Sequence, residues 1–327
     1  MIIENSKTYN AKEVEKIFFR PTFCGKSANE LGVRVVYNMP IPTTVPLLSQ
    51  SSEVLCPYTA GWQGGTAKVM DQCHIDMRKI KAESAYSADE YFSTVYELML
   101  LSADANLEDL TGTELEKAET ELFRRAIADG IFATMWFGCD KEELSLYTTF
   151  NGFIRQLLDL GVEYRNEVAI KFTQDDVSVN ATDILYDTWV NAPDQLRSIA
   201  SEGNLAYFVS SDIYDAYYFE LEANGVLNTT VQDGKISRPT LTYHGIPLVE
   251  IPVKRYNLSR ANTFCLLTDR RNLVLALNTM DAPENEVRMW YNPDEMENRQ
   301  RVSFMAGAKI LDHNLLSAEI YDGKVSF

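Results

Sequence analysis

Histidine is scarce in this chain, at three of 327 residues. Its ring is the usual proton carrier near neutral pH and the commonest metal ligand, so its scarcity leaves little room for such chemistry. The five cysteines, Cys24, Cys56, Cys73, Cys139 and Cys265, include no C-x-x-C pair. Their odd number and wide spacing fit free thiols in a reducing cytoplasm, not a disulfide framework. No stretch approaches the ~18 uninterrupted apolar residues of a membrane span. The opening "MIIENSKTYNAKEVEKIFF" has no basic region followed by a long apolar run, so it does not read as a signal peptide. The N-x-S/T matches at Asn180, Asn228 and Asn257 are then chance. Bases are also in short supply: 30 Lys and Arg stand against 47 Asp and Glu, a net charge of −17. Whole-surface binding to DNA or anionic lipid is disfavoured, because both need a positive field, although a local basic patch remains open.

What is present is core-forming material. Apolar residues make up 46% of the chain, enough to exclude general disorder. The length fits one elaborated domain or two. Residues 1–35 hold a short amphipathic helix in "AKEVEKIFF" and otherwise an irregular arm. Residues 36–59 carry four prolines, which remove backbone donors and point to edge or loop chain. Residues 54–82, with a turn at Gly64-Gly65, read as a long two-stranded excursion. A lone hairpin is marginal in water, so this one needs a surface to lie on, such as another subunit.

The clearest element is a helix over 113–137. Thr113 and Glu116 fit a capping box, and Leu115, Ala118, Leu122, Ala126 and Ile127 form a stripe. It would run roughly 35 Å. Gly130 interrupts it, and close packing is the expected reason. Residues 150–160 and 182–201 also read as helical. A strand at Leu205–Val209 then leads through a serine cap into a helix from Asp212 to Glu222, stopped at Gly225. Strands follow at 239–253, 263–277, 300–310 and 315–321. The order is α+β without βαβ repetition.

Motifs with fixed spacing are missing. "GWQGGTAK" is not a phosphate loop, because Lys68 follows alanine and precedes valine. Cys73 and His74 are neighbours on extended chain and point to opposite faces. His244, in "TYHGIPLVEIP" (242–252), has no histidine or cysteine within 15 residues and reads as a structural histidine; His313, in "DHN", reads as a turn residue. The acid pairs in "QDD" (174–176) and "DEMEN" (294–298) read as solvated surface. Trp62, Trp136, Trp189 and Trp290 read as packing or interface anchors. No residue is assigned a catalytic, cofactor-binding or metal-binding role, and the chain does not read as an enzyme.

The order of these segments resembles the major capsid proteins of tailed bacteriophages, the Hong Kong 97-type coat fold. "TYHGIPLVEIP" is similar to that family's Y-x-G-x-P-hydrophobic-hydrophobic strand. The segment ending "LLTDRRNLVLAL" (266–277) and the closing "MWYNPDEMENRQRVSFMAGAKILDHNLLSAEI" follow as they do in the family. "DTWVNAPDQLRSIASEGNLAYFVSSDIYDAYYFELEANG" is similar to its helix, strand and helix upstream. The resemblance is sharpest over 185–321. It implies an N-terminal arm (1–35), an extended loop hairpin (36–85), a peripheral domain (86–182 and 286–327) with the long spine helix, and an axial domain (183–285). It further implies homo-pentamers and homo-hexamers that build an icosahedral head around double-stranded DNA held without sequence-specific contacts. The expected location is the virion, after synthesis in the host bacterial cytoplasm. Expected partners are portal and other head proteins and a separate scaffold, since nothing precedes the arm that could serve as one. No membrane partner is expected. Some members join subunits by a Lys–Asn isopeptide bond; Lys68 and Asn298 lie in the corresponding regions, but no motif carries the chemistry over. The nearest alternative is an encapsulin-type compartment shell. A more distant one is a soluble hydrolase with a Cys/His or carboxylate site.

Overall fold

A computed structural model describes residues 7–9, 31–37, 43–49, 69–87, 114–140, 147–162, 164–165, 181–225, 240–252, 263–278 and 287–321. Fourteen strands and five α-helices lie in these residues, an α+β arrangement of two six-stranded sheets and one two-stranded ribbon. The first sheet runs β1 (Lys7–Tyr9), β12 (Val287–Asn292), β13 (Glu297–Ile310), β11 (Leu273–Asn278), β2 (Arg34–Tyr37), with β5 (Arg78–Tyr86) also on β13. β13 is long enough at 14 residues to take β12 on its first half and β11 on its second. The second sheet runs β6 (Tyr164–Arg165), β14 (Leu316–Tyr321), β10 (Thr263–Asp269), β7 (Leu205–Ser210), β9 (Ile246–Ile251), β8 (Thr242–Tyr243). The ribbon is β3 (Thr43–Ser49) with β4 (Val69–Ile75).

β7 and β10 are buried at every residue. "LAYFVS" and "TFCLLTD" are accordingly apolar on both faces, as strands covered on two sides must be. Ala206, Phe208, Phe264 and Leu266 join one core, which also holds Leu273, Leu275, Leu277 and the inward residues of β13. Leu205, Tyr207, Val209, Cys265 and Leu267 join a second core under helices α3 (Ala181–Val190), α4 (Asp194–Ser198) and α5 (Ser211–Ala223).

Helix α1 (Glu114–Phe137) closes the first core together with α2 (Phe153–Asp159). Trp136 is fully buried and meets Phe153, Phe208 and Phe264 at ring separations of 5.2, 5.5 and 5.8 Å. One side chain thus touches α1, α2, β7 and β10. The helix ends approach closely because two glycines face each other. Gly152 donates its N–H to the Gly138 carbonyl at 2.8 Å, and a Cβ on Gly138 would stand 2.2 Å from the Phe150 carbonyl oxygen.

Several sequence expectations need correction. Leu122 is 48% exposed and Ala126 is exposed; the buried stripe is Phe123, Ile127, Ile131, Phe132 and Met135, turned about one position along the helix. The buried positions are fixed by what the helix packs against, so a stripe counted from its first turns came out rotated. Gly130 is not explained by close packing: among the described residues no atom lies within 4 Å of the place its Cβ would take. Thr113 of the expected capping box and the helix in "AKEVEKIFF" lie outside the described residues. Lys7–Tyr9 is a strand on β12, not irregular chain. Gly64-Gly65 lies outside the described residues, and the strand opposite β4 is 43–49, ahead of the expected 54–82 excursion. Thr43 pairs with Ile75 and Ser49 with Val69, a register centred on residue 59, while β5 leaves the ribbon to join β13. Pro46 sits in this isolated ribbon, where a missing donor is tolerated. Residues 182–201 are two helices and the start of a 3₁₀ turn, Ala200–Glu202. Ser210 occupies the N-cap of α5 but makes no side-chain cap bond; its hydroxyl accepts from the Phe264 N–H at 3.4 Å.

Replacing Trp136 with alanine removes contacts from α1 to three other elements at once and should cost about 3–5 kcal/mol of unfolding free energy, read from urea denaturation of the subunit. Gly130→Ala should raise it by up to about 1 kcal/mol.

Candidate functional site

The span 263–277 is two strands in two different sheets. Between β10 and β11 the 3₁₀ turn Arg270–Asn272 changes the chain's direction. The return crossing, β13 to β14, passes through a second 3₁₀ turn, His313–Leu315. The two corners share their chemistry. Asp269 Oδ1 accepts from the Arg271 N–H at 2.8 Å, and Asp312 Oδ1 accepts from the Asn314 N–H at 2.8 Å. An aspartate that bonds the backbone two residues on is a local turn former, which explains both "TDRRN" and "LDHNL".

Asn272 ties the corners together. It is 4% exposed, its Oδ1 accepts from the Asp312 N–H at 2.7 Å, and its Nδ2 donates to the Asp312 carbonyl at 2.8 Å. The same amide donates to the Thr268 hydroxyl at 3.1 Å, and that hydroxyl donates to the Leu315 carbonyl at 2.7 Å. Asp269, 3% exposed, is neutralised by Arg271 at 2.6 Å, and Arg271 also reaches Glu202 at 3.2 Å. These contacts hold the Arg271 guanidinium in its charged form, its proton affinity raised chiefly by the hydrogen bond to Asp269.

Beside the joint, a cleft of about 940 Å³ opens between the ribbon and the first sheet. The ribbon contributes Leu47, Gln72 and His74, the sheet Arg34 and Lys309, and the corners Asp312 and His313. His74 is exposed while Cys73 is buried, so the neighbouring pair points to opposite faces as expected. Burial raises the Cys73 thiol, and the Lys309 ammonium partly offsets this. His313 lies in the turn, as its sequence implied.

His244 is exposed at the other end of the second sheet. Thr242 pairs with Pro247 and Tyr243 with Ile246, leaving His244-Gly245 as a two-residue loop with φ of +50° and +78°. Both residues in the left-handed region define a type I′ hairpin turn. The 239–253 strand is therefore broken here. Histidine is among the residues that enter this region most readily after glycine. The ring stacks on Trp189 at 5.9 Å. Of the other tryptophans, Trp136 is core, Trp290 is half-buried and Trp62 lies outside the described residues. The "DEMEN" acids form the turn between β12 and β13, where Arg299 meets both Glu295 and Glu297. "QDD", "GWQGGTAK" and Lys68 lie outside the described residues; Asn298 is 5% exposed within β13. Among the described residues no cluster of His, Cys, Asp or Glu is placed to hold a metal ion, no helix is long and apolar enough to cross a membrane, and Cys73, Cys139 and Cys265 are free thiols.

No family model matches the chain, and no curated protein matches it. Solved structures do. A chain of the satellite phage P4 procapsid, a particle that includes the size determination (Sid) protein, matches with a TM-score of 0.54 at 10% identity, over 94% of this chain and 96% of that one. A chain from Gordonia phage Cozz matches with a TM-score of 0.52 at 11% identity, over 94% and 89%. At such identities the likeness establishes the fold, and that fold is the one found in phage capsid structures.

Two outcomes follow. Gly245→Val places a β-branched residue at positive φ and should lower the melting temperature by several degrees or prevent folding, whereas His244→Asn keeps the turn and should leave it within about 0.5 kcal/mol. Burial pushes the Cys265 thiol up to about 12 from an ordinary 9.0. The folded state holds this proton more tightly than the unfolded one, so stability is full below pH 9 and falls as pH rises toward 12, by up to ~1.4 kcal/mol per unit. Cys265→Ala should flatten that alkaline limb in chemical denaturation series.

Proposed function

We propose that the chain is the major capsid protein of a tailed phage, a Hong Kong 97-type subunit that assembles as pentamers and hexamers into an icosahedral head around double-stranded DNA. The observation that carries this reading is the fold shared with the P4 procapsid chain across 94% of one and 96% of the other. The element order supports the same division of the chain. Residues 1–35 act as the arm, 36–85 as the extended loop, 86–182 with 286–327 as the peripheral domain, and 183–285 as the axial domain. α1 is then the spine helix, and the β3–β4 ribbon is the root of the extended loop. β11 and β14 each pair in the sheet of the other domain, so the two domains fold as one unit.

The chemistry agrees with a structural role. The polar groups best placed by the fold, Asn272, Thr268 and the two corner aspartates, bond to the chain itself. A net charge of −17 gives packaged DNA no overall attraction, so genome contact is expected to lack sequence specificity. The partners are further copies of the chain, with scaffold, portal and other head proteins, in the virion after synthesis in the bacterial cytoplasm. An encapsulin-type compartment would share the fold, but the likeness to the P4 procapsid chain favours the phage reading.

Negative-stain microscopy of the expressed full chain tests the proposal. Shells, pentameric or hexameric rings, or tubes are expected; a monodisperse monomer at high concentration would refute it.

A further inference from the structure

In a chain with 47 acids and 30 bases, cations are expected to find carboxylates. Most described ones do: Arg78, Lys81, Arg155, Arg197 and Arg301 each meet an acid at 3.4 Å or less. Arg34 and Lys309 do not. Among the described residues, neither has an acidic group within ion-pair distance. The fold brings these two together. Val274 of β11 pairs with Arg34 on one side and Lys309 on the other, so all three stand in one row on one face of the sheet. Two strand spacings separate the cations by roughly 10 Å at Cα. That face is the floor of the 940 Å³ cleft, and the ribbon is its wall. The wall is held close: a Cβ on Gly307 would stand 2.3 Å from the Asp76 carbonyl oxygen, so only glycine lets the root of the ribbon lie there.

We propose that the Arg34–Lys309 row receives a carboxylate-bearing segment from a second copy of the chain, an interface that rests on the capsid reading. Charge selects the occupant. Among the described lining residues, with neutral histidines, the formal charges cancel: Arg34, Arg271 and Lys309 against Asp76, Asp269 and Asp312. A long polyanion such as DNA gains nothing from that balance. One or two carboxylates placed between the two cations do gain, because Asp269 and Asp312 are already engaged and the Asp76 side chain is 86% exposed to solvent. Asp269 is held by Arg271 at 2.6 Å and Asp312 by the Asn314 N–H. A copy carrying 47 acids supplies such a segment, and an arginine fork binds a carboxylate with two parallel bonds. Arg34 is exposed and Lys309 half-buried, so the contact is expected to weaken as salt rises.

Zero-length carbodiimide coupling of particles assembled from mixed light and heavy isotope-labelled full chain tests this. Lys309 should be recovered joined to Asp or Glu of another copy. Recovery of Lys309 only within its own chain, or not at all, would overturn the proposal. In parallel, R34E/K309E should lower the assembled fraction by about tenfold and weaken its dependence on salt, with subunit melting unchanged. Assembly equal to wild type would also overturn it. If R34E/K309E does not fold, R34Q/K309Q carries the same comparison. Should wild-type chain fail to assemble, the capsid reading fails separately, and the cleft is tested on the subunit. Polyglutamate must then bind wild type and not R34Q/K309Q, and binding of a DNA oligonucleotide in its place refutes the assignment.

Discussion

The chain crosses from one sheet to the other at Asp269–Asn272 and returns at Asp312–Leu315, and the Asn272 side chain bonds across both crossings. This constraint fixes the rest of the molecule. β10 and β11 must enter different sheets because the 3₁₀ turn between them redirects the chain. β13 and β14 must do the same in the opposite sense. Each sheet therefore contains a strand that arrives from the other, and neither can form a complete core alone. A buried amide with several partners is costly to leave unsatisfied, so the joint is either made in full or not at all.

From that joint the packing follows outward. The second sheet is buried on both faces, against α1, α2 and the first sheet on one side and against α3 and α5 on the other. Trp136 carries the spine of the first core because it meets both helices' ends and two central strands. The ribbon is the exception. Its described contacts with the body are a small cluster around Ile75, Val274 and Ala276 and the close approach of Asp76 to Gly307. A two-stranded element with so small a core is marginal by itself, which is why the proposed reading lays it on a neighbouring copy.

The same geometry separates groups that a chemical reading would have joined. His74 and His313 line one cleft, His244 lies on a hairpin turn of the other sheet, and Cys265 is sealed between α3 and β14 with its thiol protonated. The polar groups that do converge are at the joint, and they bond to backbone.

Much of this was legible in the chain. The continuous apolar runs of β7 and β10, the alternation of β13, the glycine stop at Gly225 and the α+β order are local signals, set by residue type and spacing. Register and rotation were not. The excursion was begun too late in the chain because the prolines of 36–59 argue against a paired strand, whereas Thr43–Ser49 pairs with β4 along its whole length. The stripe of α1 was rotated because apolar residues in its first half carry no information about which side meets a sheet far away in sequence. The corner at 270–272 was marked by the polar break Asp269-Arg270-Arg271-Asn272, but the apolar runs on either side read as one strand, since both strands beside it are buried. Nor could sequence place Arg34 beside Lys309, because 275 residues separate them and only Val274 puts them in one row. By itself the sequence determined the elements and excluded most chemistry. Tertiary structure decided which faces meet, because strand pairing and sheet crossing are long-range choices made by packing.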